Sequence, residues 1–298
     1  MENLGAIGTF PPLKVDSYEA SVGPLGLGQR HLLHELTVGV LWPHRPDDLD
    51  LFLSLGKGRL AVDEIGRPLA SGMYFPMGED FAMLGMMVTV PRLQAQGAGR
   101  ALLAGMMQDC AGRDLRLSAT RSGYRLYQAA GFVPVATIRQ QQGIAVPFDA
   151  PADLPGLTIR PLTQADTPAL HALDAHAFGA PRGAVVDALL ALSTGVVAER
   201  DGKPCGFALL RPFGKGVVIG PMAAEDDAMA IRLAAPLIRQ SEGRFVRLDT
   251  PVDSERFVAF LRGAGLADYD TVTEMRIGPH RRAAEGAVTY ALAAHSLG

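Results

Sequence analysis

The sequence predicts an α/β fold laid down twice in one chain. Two patterns carry the prediction: apolar strand runs alternate with helix-patterned segments, and after a proline-rich break near residues 147–156 the same order of strands and helices begins again. Length and composition agree, because 298 residues with 48% hydrophobic content supply core for two domains of ordinary size.

In the first half, a stretch rich in Gly and Pro is expected to be coil and leads to a strand at Tyr18–Val22. A helix follows through His31-Leu32-Leu33-His34-Glu35-Leu36. A second helix opens at Asp47-Asp48, places Leu49, Leu51, Phe52 and Leu55 on its inner face, and stops at Gly56. Three strands come next, at Arg59–Asp63, Pro68–Tyr74 and Phe81–Val90, separated by turns at Ile65-Gly66-Arg67 and Gly78-Glu79-Asp80. The third is almost continuously apolar, as a central strand covered on both faces would be. A helix over Gly99–Cys110, a strand over Leu115–Ala119, a helix over Ser122–Ala130 and a last strand over Val133–Gln140 complete the unit.

Pro147, Pro151 and Pro155, with Asp149, Asp153 and Gly156, read as a linker, which divides the chain into residues 1–146, a linker 147–155 and residues 156–298. The second half opens on a strand at Thr158–Leu162, and Thr163-x-x-Asp166 is a capping box for a helix carrying Leu170 and Leu173. Strands at Val196–Glu199, Gly206–Arg211 and Val217–Ile219 precede a helix over Asp227–Gln240. A strand at Phe245–Leu248, a helix at Glu255–Gly263 and a final strand at Val288–Leu292 follow.

The most informative stretch is Gln94-Ala95-Gln96-Gly97-Ala98-Gly99-Arg100, set between a strand ending Val88-Thr89-Val90-Pro91 and a helix. Glycines there let backbone N–H groups converge on an anion, and the helix dipole adds partial positive charge at the same point. A Walker loop would need Lys-Ser/Thr after the last glycine, and a dinucleotide fingerprint a third glycine; Arg100-Ala101 and the two glycines exclude both. A tight connection without a ligand is the alternative use of such a turn. With Gln94, Gly97 and Gly99 in register, the stretch resembles the acyl-CoA-binding motif of the GNAT superfamily of N-acyltransferases. Downstream, Leu126-Tyr127 and Gly131-Phe132 match that family's closing motif, whereas Thr120 and Gly123 stand where it has Asn and Ala.

The resemblance spans about residues 18–278. It implies tandem folds, each a mixed twisted sheet flanked by helices, with the first half binding acetyl-CoA. The second half resembles the degenerate C-terminal domain of two-domain bacterial members: Met222–Asp227 holds no glycine and three acids, and Leu261 stands where the tyrosine would. The implied roles are alignment of the pantetheine by Val88, Thr89 and Val90, and pyrophosphate binding by Gln94, Gln96, Gly97, Ala98, Gly99 and Arg100. Thr120 is a further contact, and Tyr127 a general acid for the departing thiolate or, alternatively, a packing aromatic.

His31, His34 and Glu35 on the early helix are candidates for substrate contact or proton relay, and Trp42 for the wall of an acceptor pocket; ordinary surface and core roles are the alternatives. His-x-x-His-Glu matches neither zincin order, and no metal is expected. The expected activity is acetyl transfer to a primary amine of a small molecule or peptide, and the alternative is a non-catalytic acyl-CoA-binding sensor or interaction protein. A formal charge of −3 gives no footprint for nucleic acid, and no apolar run approaches a membrane span. Without a secretory pattern, and with Cys110 and Cys205 far apart, a reduced cytoplasmic setting is expected. A homodimer is left open.

Overall fold

In a computed structural model of the protein the described residues are 13–15, 18–94 and 96–298, so most of the Gly/Pro-rich stretch before Tyr18, and Ala95 in the glycine turn, lie outside them. The chain forms two compact units. One comprises the residues up to Tyr74 together with Met86–Ala111; the other comprises Phe75–Gly85 and Gly112–Gly298.

The first unit carries β1 (Leu13–Val15), β2 (Tyr18–Leu25), β3 (Lys57–Val62), most of β4 (Pro68–Met77) and the end of β5 (Phe81–Thr89), in that sheet order. Its helices are α1 (Arg30–Gly39), α2 (Pro46–Leu55) and α3 (Ala98–Asp109). The expected apolar stripe of α2 is buried at Leu49, Leu51 and Phe52. Pro46 suits its first turn, and the Arg45 backbone N–H donates to Asp48 Oδ2 at 2.9 Å. Ala98 and Leu102 of α3 pack with Ala61, Leu69 and Ala70 of the sheet, and Arg59 grips Asp109 through two bonds of 2.9 and 2.7 Å.

The second unit contains the start of β5, then β6 (Asp114–Ala119), α4 (Tyr124–Ala129), β7 (Val133–Ile144), β8 (Leu157–Pro161), α5 (Thr167–Phe178), α6 (Gly183–Leu192), β9 (Thr194–Arg200) and β10 (Lys203–Phe213). It continues with β11 (Gly216–Ala224), α7 (Asp227–Arg239), β12 (Phe245–Thr250), α8 (Glu255–Gly263), β13 (Ala267–Ile277) and β14 (Val288–Ala291). Its strand order is β5-β6-β13-β7-β12-β11-β10-β9-β8, with β14 on β11. Among the described residues of this unit, β5–β6 and β11–β12 pair in parallel.

The chain order repeats element for element: β2-α1-α2-β3-β4-β5-α3-β6-α4-β7 is followed by β8-α5-α6-β9-β10-β11-α7-β12-α8-β13. The fold is thus a tandem of mixed α/β units. The closing motifs agree down to single hydrogen bonds. Phe132 N–H donates to Tyr127 O at 3.0 Å and Leu266 N–H to Leu261 O at 2.9 Å, while Gly131 and Gly265 take left-handed φ values of 93° and 94°.

The copies also exchange strands, because β13 lies between β6 and β7, and β7 lies between β12 and β13. Compactness therefore does not follow the linker. One buried ion cluster reinforces the exchange: Glu274 on β13 receives Arg282 at 2.7 Å and stands 3.8 Å from Arg116 of β6, which also donates to Phe178 O at 3.2 Å. Burial pulls Arg116 down to about 9. Burial alone would raise the Glu274 carboxyl, but Arg282 and Arg116 hold it below its ordinary value.

Three elements were not anticipated: the short β1, helix α6 and strand β13. Strand β7 runs four residues past the expected Gln140 to Ile144, through Gln141 and Gln142, which are polar on both sides of the strand. Partner strands on each side, rather than alternation, hold that end extended. Strand β11 likewise continues beyond Ile219 to Ala224, so Met222–Ala224 are strand and not turn.

Candidate functional site

The glycine turn begins as a single 3-10 turn at Pro91–Leu93, anchored by Leu93, which is 2% exposed. The Gln94 and Gln96 amides donate to Thr89 O (3.3 Å) and Arg92 O (3.2 Å), so both shape the turn itself. Gly97 is the residue before α3, at φ 99°, a left-handed backbone that a side chain would strain. No side chain caps α3 and no acid lies in its first turn. Ala98 is buried, Gly99 half-buried and Arg100 exposed. The sum is a helix N-terminus whose dipole and leading amides face no negative group of their own helix, which suits an anion.

Upstream, Val88 is buried while Thr89 and Val90 are half-buried, and the Val90 N–H is committed to Leu69 O at 3.0 Å. Met86, in the middle of β5, has φ 50° and is 2% exposed, with its carbonyl receiving Ser71 Oγ at 2.9 Å. A buried side chain in this region of backbone space stores strain, and such strain concentrates at functional positions. Sequence reasoning missed Met86, since methionine announces no unusual backbone.

His31 and Glu35 are exposed on α1 and His34 is half-buried there. Trp42 follows α1: its backbone N–H donates to Thr37 O at 2.9 Å, and its ring meets His44 edge-on at 5.8 Å, which in turn meets Phe52 at 5.6 Å. Leu41, between helix and tryptophan, has φ 61° and is 90% exposed. All of these, with Val88–Arg100, belong to the first unit.

Thr120 and Tyr127 belong to the second unit. The Thr120 hydroxyl caps its own turn, accepting from Gly123 N–H at 3.3 Å and lying 3.1 Å from Ser122 Oγ. Tyr127 on α4 is 7% exposed and packs edge-on against Phe132 with centroids 5.9 Å apart. Gly123 leaves room for this ring, because a Cβ there would sit 3.0 Å from Tyr127 Cε2. Burial pushes the phenol above its ordinary value, so it keeps its proton at neutral pH.

The same unit holds a cleft of about 640 Å³ over β7 and β13, rimmed by Arg121, Thr137, Arg139, Asp253 and Tyr269. Arg139 and Asp253 pair across it at 2.8 Å. Among the described residues no group of three or more His, Cys, Asp or Glu is placed to hold a metal ion, and no helix is long and apolar enough to cross a membrane.

The corresponding positions of the second copy are filled by the chain itself. Asp226 caps α7, its carboxylate accepting from Met229 N–H at 2.8 Å, and Glu225 pairs with Arg200 at 2.6 Å. The acids of Met222–Asp227 thus occupy the helix N-terminus.

Comparison with known proteins agrees with this architecture. A family model described as an acetyltransferase (GNAT) domain matches residues 170–290, within the half that lacks the glycine turn. The uncharacterized N-acetyltransferase YitH of Bacillus subtilis is 26% identical over 172 residues, 56% of this chain, which spans about 60% of that relative's length. An inferred acetyltransferase of Pyrococcus horikoshii superposes with TM-score 0.76 at 18% identity, covering 94% of this chain and 96% of the other. A tandem GNAT protein from the clavulanic acid biosynthesis pathway superposes with TM-score 0.61 at 15% identity, covering 88% of this chain and all (100%) of the other. Domain model, curated relative and structural neighbours all point to a GNAT-superfamily acetyltransferase.

Proposed function

We propose that the chain is an acetyl-CoA-dependent N-acetyltransferase that moves an acetyl group directly to a primary amine of a small molecule or peptide. The observation that carries this reading is the N-terminus of α3, with left-handed Gly97, no capping side chain and no acid in the first turn. In this reading residues 1–146 are the acetyl-CoA-binding and catalytic half, and residues 156–298 the degenerate one. Gln94–Arg100 hold the pyrophosphate, and Val88–Val90 align the pantetheine. Acetyl-CoA supplies the activated acyl group.

Transfer requires that the amine lose a proton, that the thioester oxygen be stabilised as it gains charge, and that the leaving sulfur be protonated. The Val90 N–H is committed to Leu69, and another N–H of that strand is assigned to the thioester oxygen. Tyr127, protonated at neutral pH, donates to the sulfur. His31, His34 and Glu35 are assigned to the amine proton, and Trp42 to the acceptor pocket.

Calorimetry with acetyl-CoA, and turnover against polyamines, amino acids, aminoglycosides and peptides, test the reading. Gly97→Asp places a strained side chain and a negative charge at the helix N-terminus and is expected to lower affinity roughly a hundredfold, about 2–3 kcal/mol. Undiminished binding would reject the assignment. The packing of Tyr127 on Phe132 favours a second reading, an acyl-CoA-binding sensor or interaction protein in which the tyrosine is structural. Tight acetyl-CoA binding without turnover on any amine distinguishes it.

A further inference from the structure

We propose that the segment Val288–Leu292 is a built-in occupant of the second copy's ligand gap and closes that copy to acyl carriers. In α/β sheets ligands bind beyond the carboxyl ends of parallel strands, where neighbours part. Strands β11 and β12 form such a pair. They are in parallel register at Val217–Val246 and Val218–Arg247 only, and two residues later Gly220 turns the strand with φ 148°.

The segment enters where they part. On one side β14 pairs antiparallel with the end of β11, matching Ala291 to Met222, Thr289 to Ala223 and Val288 to Ala224. On the other side the Leu292 N–H donates to Asp249 O of β12 at 2.9 Å. One extended chain therefore hydrogen-bonds to both parted strands. The pantetheine arm of an acyl carrier is likewise an extended chain bearing amides, so the segment offers the same shape and the same kind of hydrogen bond.

The seat is completed at the helix end and in the core. Tyr290 Oη donates to Asp227 Oδ1, in the first turn of α7, at 2.9 Å, and its ring meets Phe257 edge-on at 5.3 Å. Ser254 Oγ donates to the other Asp227 oxygen at 2.7 Å. A phosphate would have to displace Asp226, Asp227 and the tyrosine together. Ala291, Leu292 and Ala293 are fully buried, and Arg211 Nη2 holds the Ala293 carbonyl at 2.7 Å. Gly220 is required here, because a Cβ at that position would collide with the Leu292 carbonyl oxygen.

That the excluded ligand is an acyl carrier rests on the proposed function; the occupied gap does not. Hydrogen exchange read by mass spectrometry on the full chain, with and without saturating acetyl-CoA, tests the inference. Residues 288–293 are expected to exchange within about tenfold of Val217–Met222, at a rate that acetyl-CoA leaves unchanged. Fast exchange in the free protein, or exchange accelerated by acetyl-CoA, overturns the inference. Gly220→Ala should speed exchange of residues 288–293 at least about tenfold while protection of residues 97–101 by acetyl-CoA persists. Exchange unchanged by Gly220→Ala overturns it too. Should the variant not fold, the wild-type measurement decides. Failure of acetyl-CoA to bind at all would reject the proposed function, while protection of residues 288–293 in the free protein would still support the occupied gap.

Discussion

Helices α3 and α7 occupy corresponding places in the two copies, each after the third strand of a β-meander, yet their first turns are chemically opposite. Before α3 stands Gly97, in left-handed backbone, with no capping side chain and no acid. Before α7 stands Asp226, extended, with its own carboxylate on Met229 N–H and Asp227 following. The closing motifs downstream keep the same hydrogen bonds in both copies although Tyr127 is matched by Leu261. Backbone hydrogen bonds and core volume preserve the fold, whereas the capacity to hold an anion depends on a few residues at one helix end. One copy can lose the second without losing the first.

The sharpest way to break this contrast is at the matched pair Tyr127 and Leu261. Tyr127→Phe removes one hydroxyl and little volume, and is expected to lower kcat by roughly 10² to 10⁴ with acetyl-CoA affinity nearly unchanged, the usual range for a general acid. Leu261→Met, volume-conserving in the other copy, should cost under about 1.5 kcal/mol of stability and leave turnover alone. Wild-type turnover in Tyr127→Phe on the true acceptor would end the acid assignment and make the two positions equivalent packing sites.

How much of this was legible follows from where the signal resides. The strand–turn–helix around Gly97 and the closing motif were readable because left-handed glycines and helix starts leave local sequence marks. Strand β13 was not, since Ala267–Thr271 is exposed throughout and its extended form comes from pairing with β7, β6 joining only from Thr273 onward. The strand exchange was invisible for the same reason: partners as distant in sequence as Gln142 and Ala267, or Leu115 and Ile277, leave no period. Met86 shows the limit at the site itself, a strained backbone imposed by the sheet on an ordinary side chain. Conversely, the repeat of element order was legible without residue identity, because hydrophobic period survives substitution.

A second contrast is titratable. His295, just past the segment seated on β11 and β12, lies 3.4 Å from Asp249 Oδ2, with Arg247 on the same strand and Asp270 on β13 also acting on it. Burial pushes its imidazole down from 6.5 to about 4 despite the Asp249 carboxylate. The folded value is below the unfolded one, so as pH falls the unfolded chain takes up the proton first. The contribution is therefore fully present above about pH 6.5 and lost between 6.5 and 4, by on the order of 3 kcal/mol. Urea unfolding at pH 7 and pH 4.5 should show a smaller fall for His295→Gln than for the wild type. Equal falls would mean that the imidazole is hydrated and that the seat of residues 288–298 is looser than the contacts indicate.

The smallest expected effect addresses the acid that separates the two helix starts. Asp226→Ala removes the side-chain acceptor of the Met229 N–H, and loss of such a cap costs about 1 kcal/mol. Because Asp227 and the segment around Tyr290 still fill the space, acetyl-CoA stoichiometry should stay at one per chain even though a negative charge has gone. A stoichiometry near two in Asp226→Ala would show that one carboxylate, and not the occupied gap, keeps the second copy from binding. A loss much above 1 kcal/mol would show that the cap also holds β11 to α7. The expected result, a slightly weaker protein with unaltered stoichiometry, leaves the two copies distinguished by what fills their gaps rather than by charge alone.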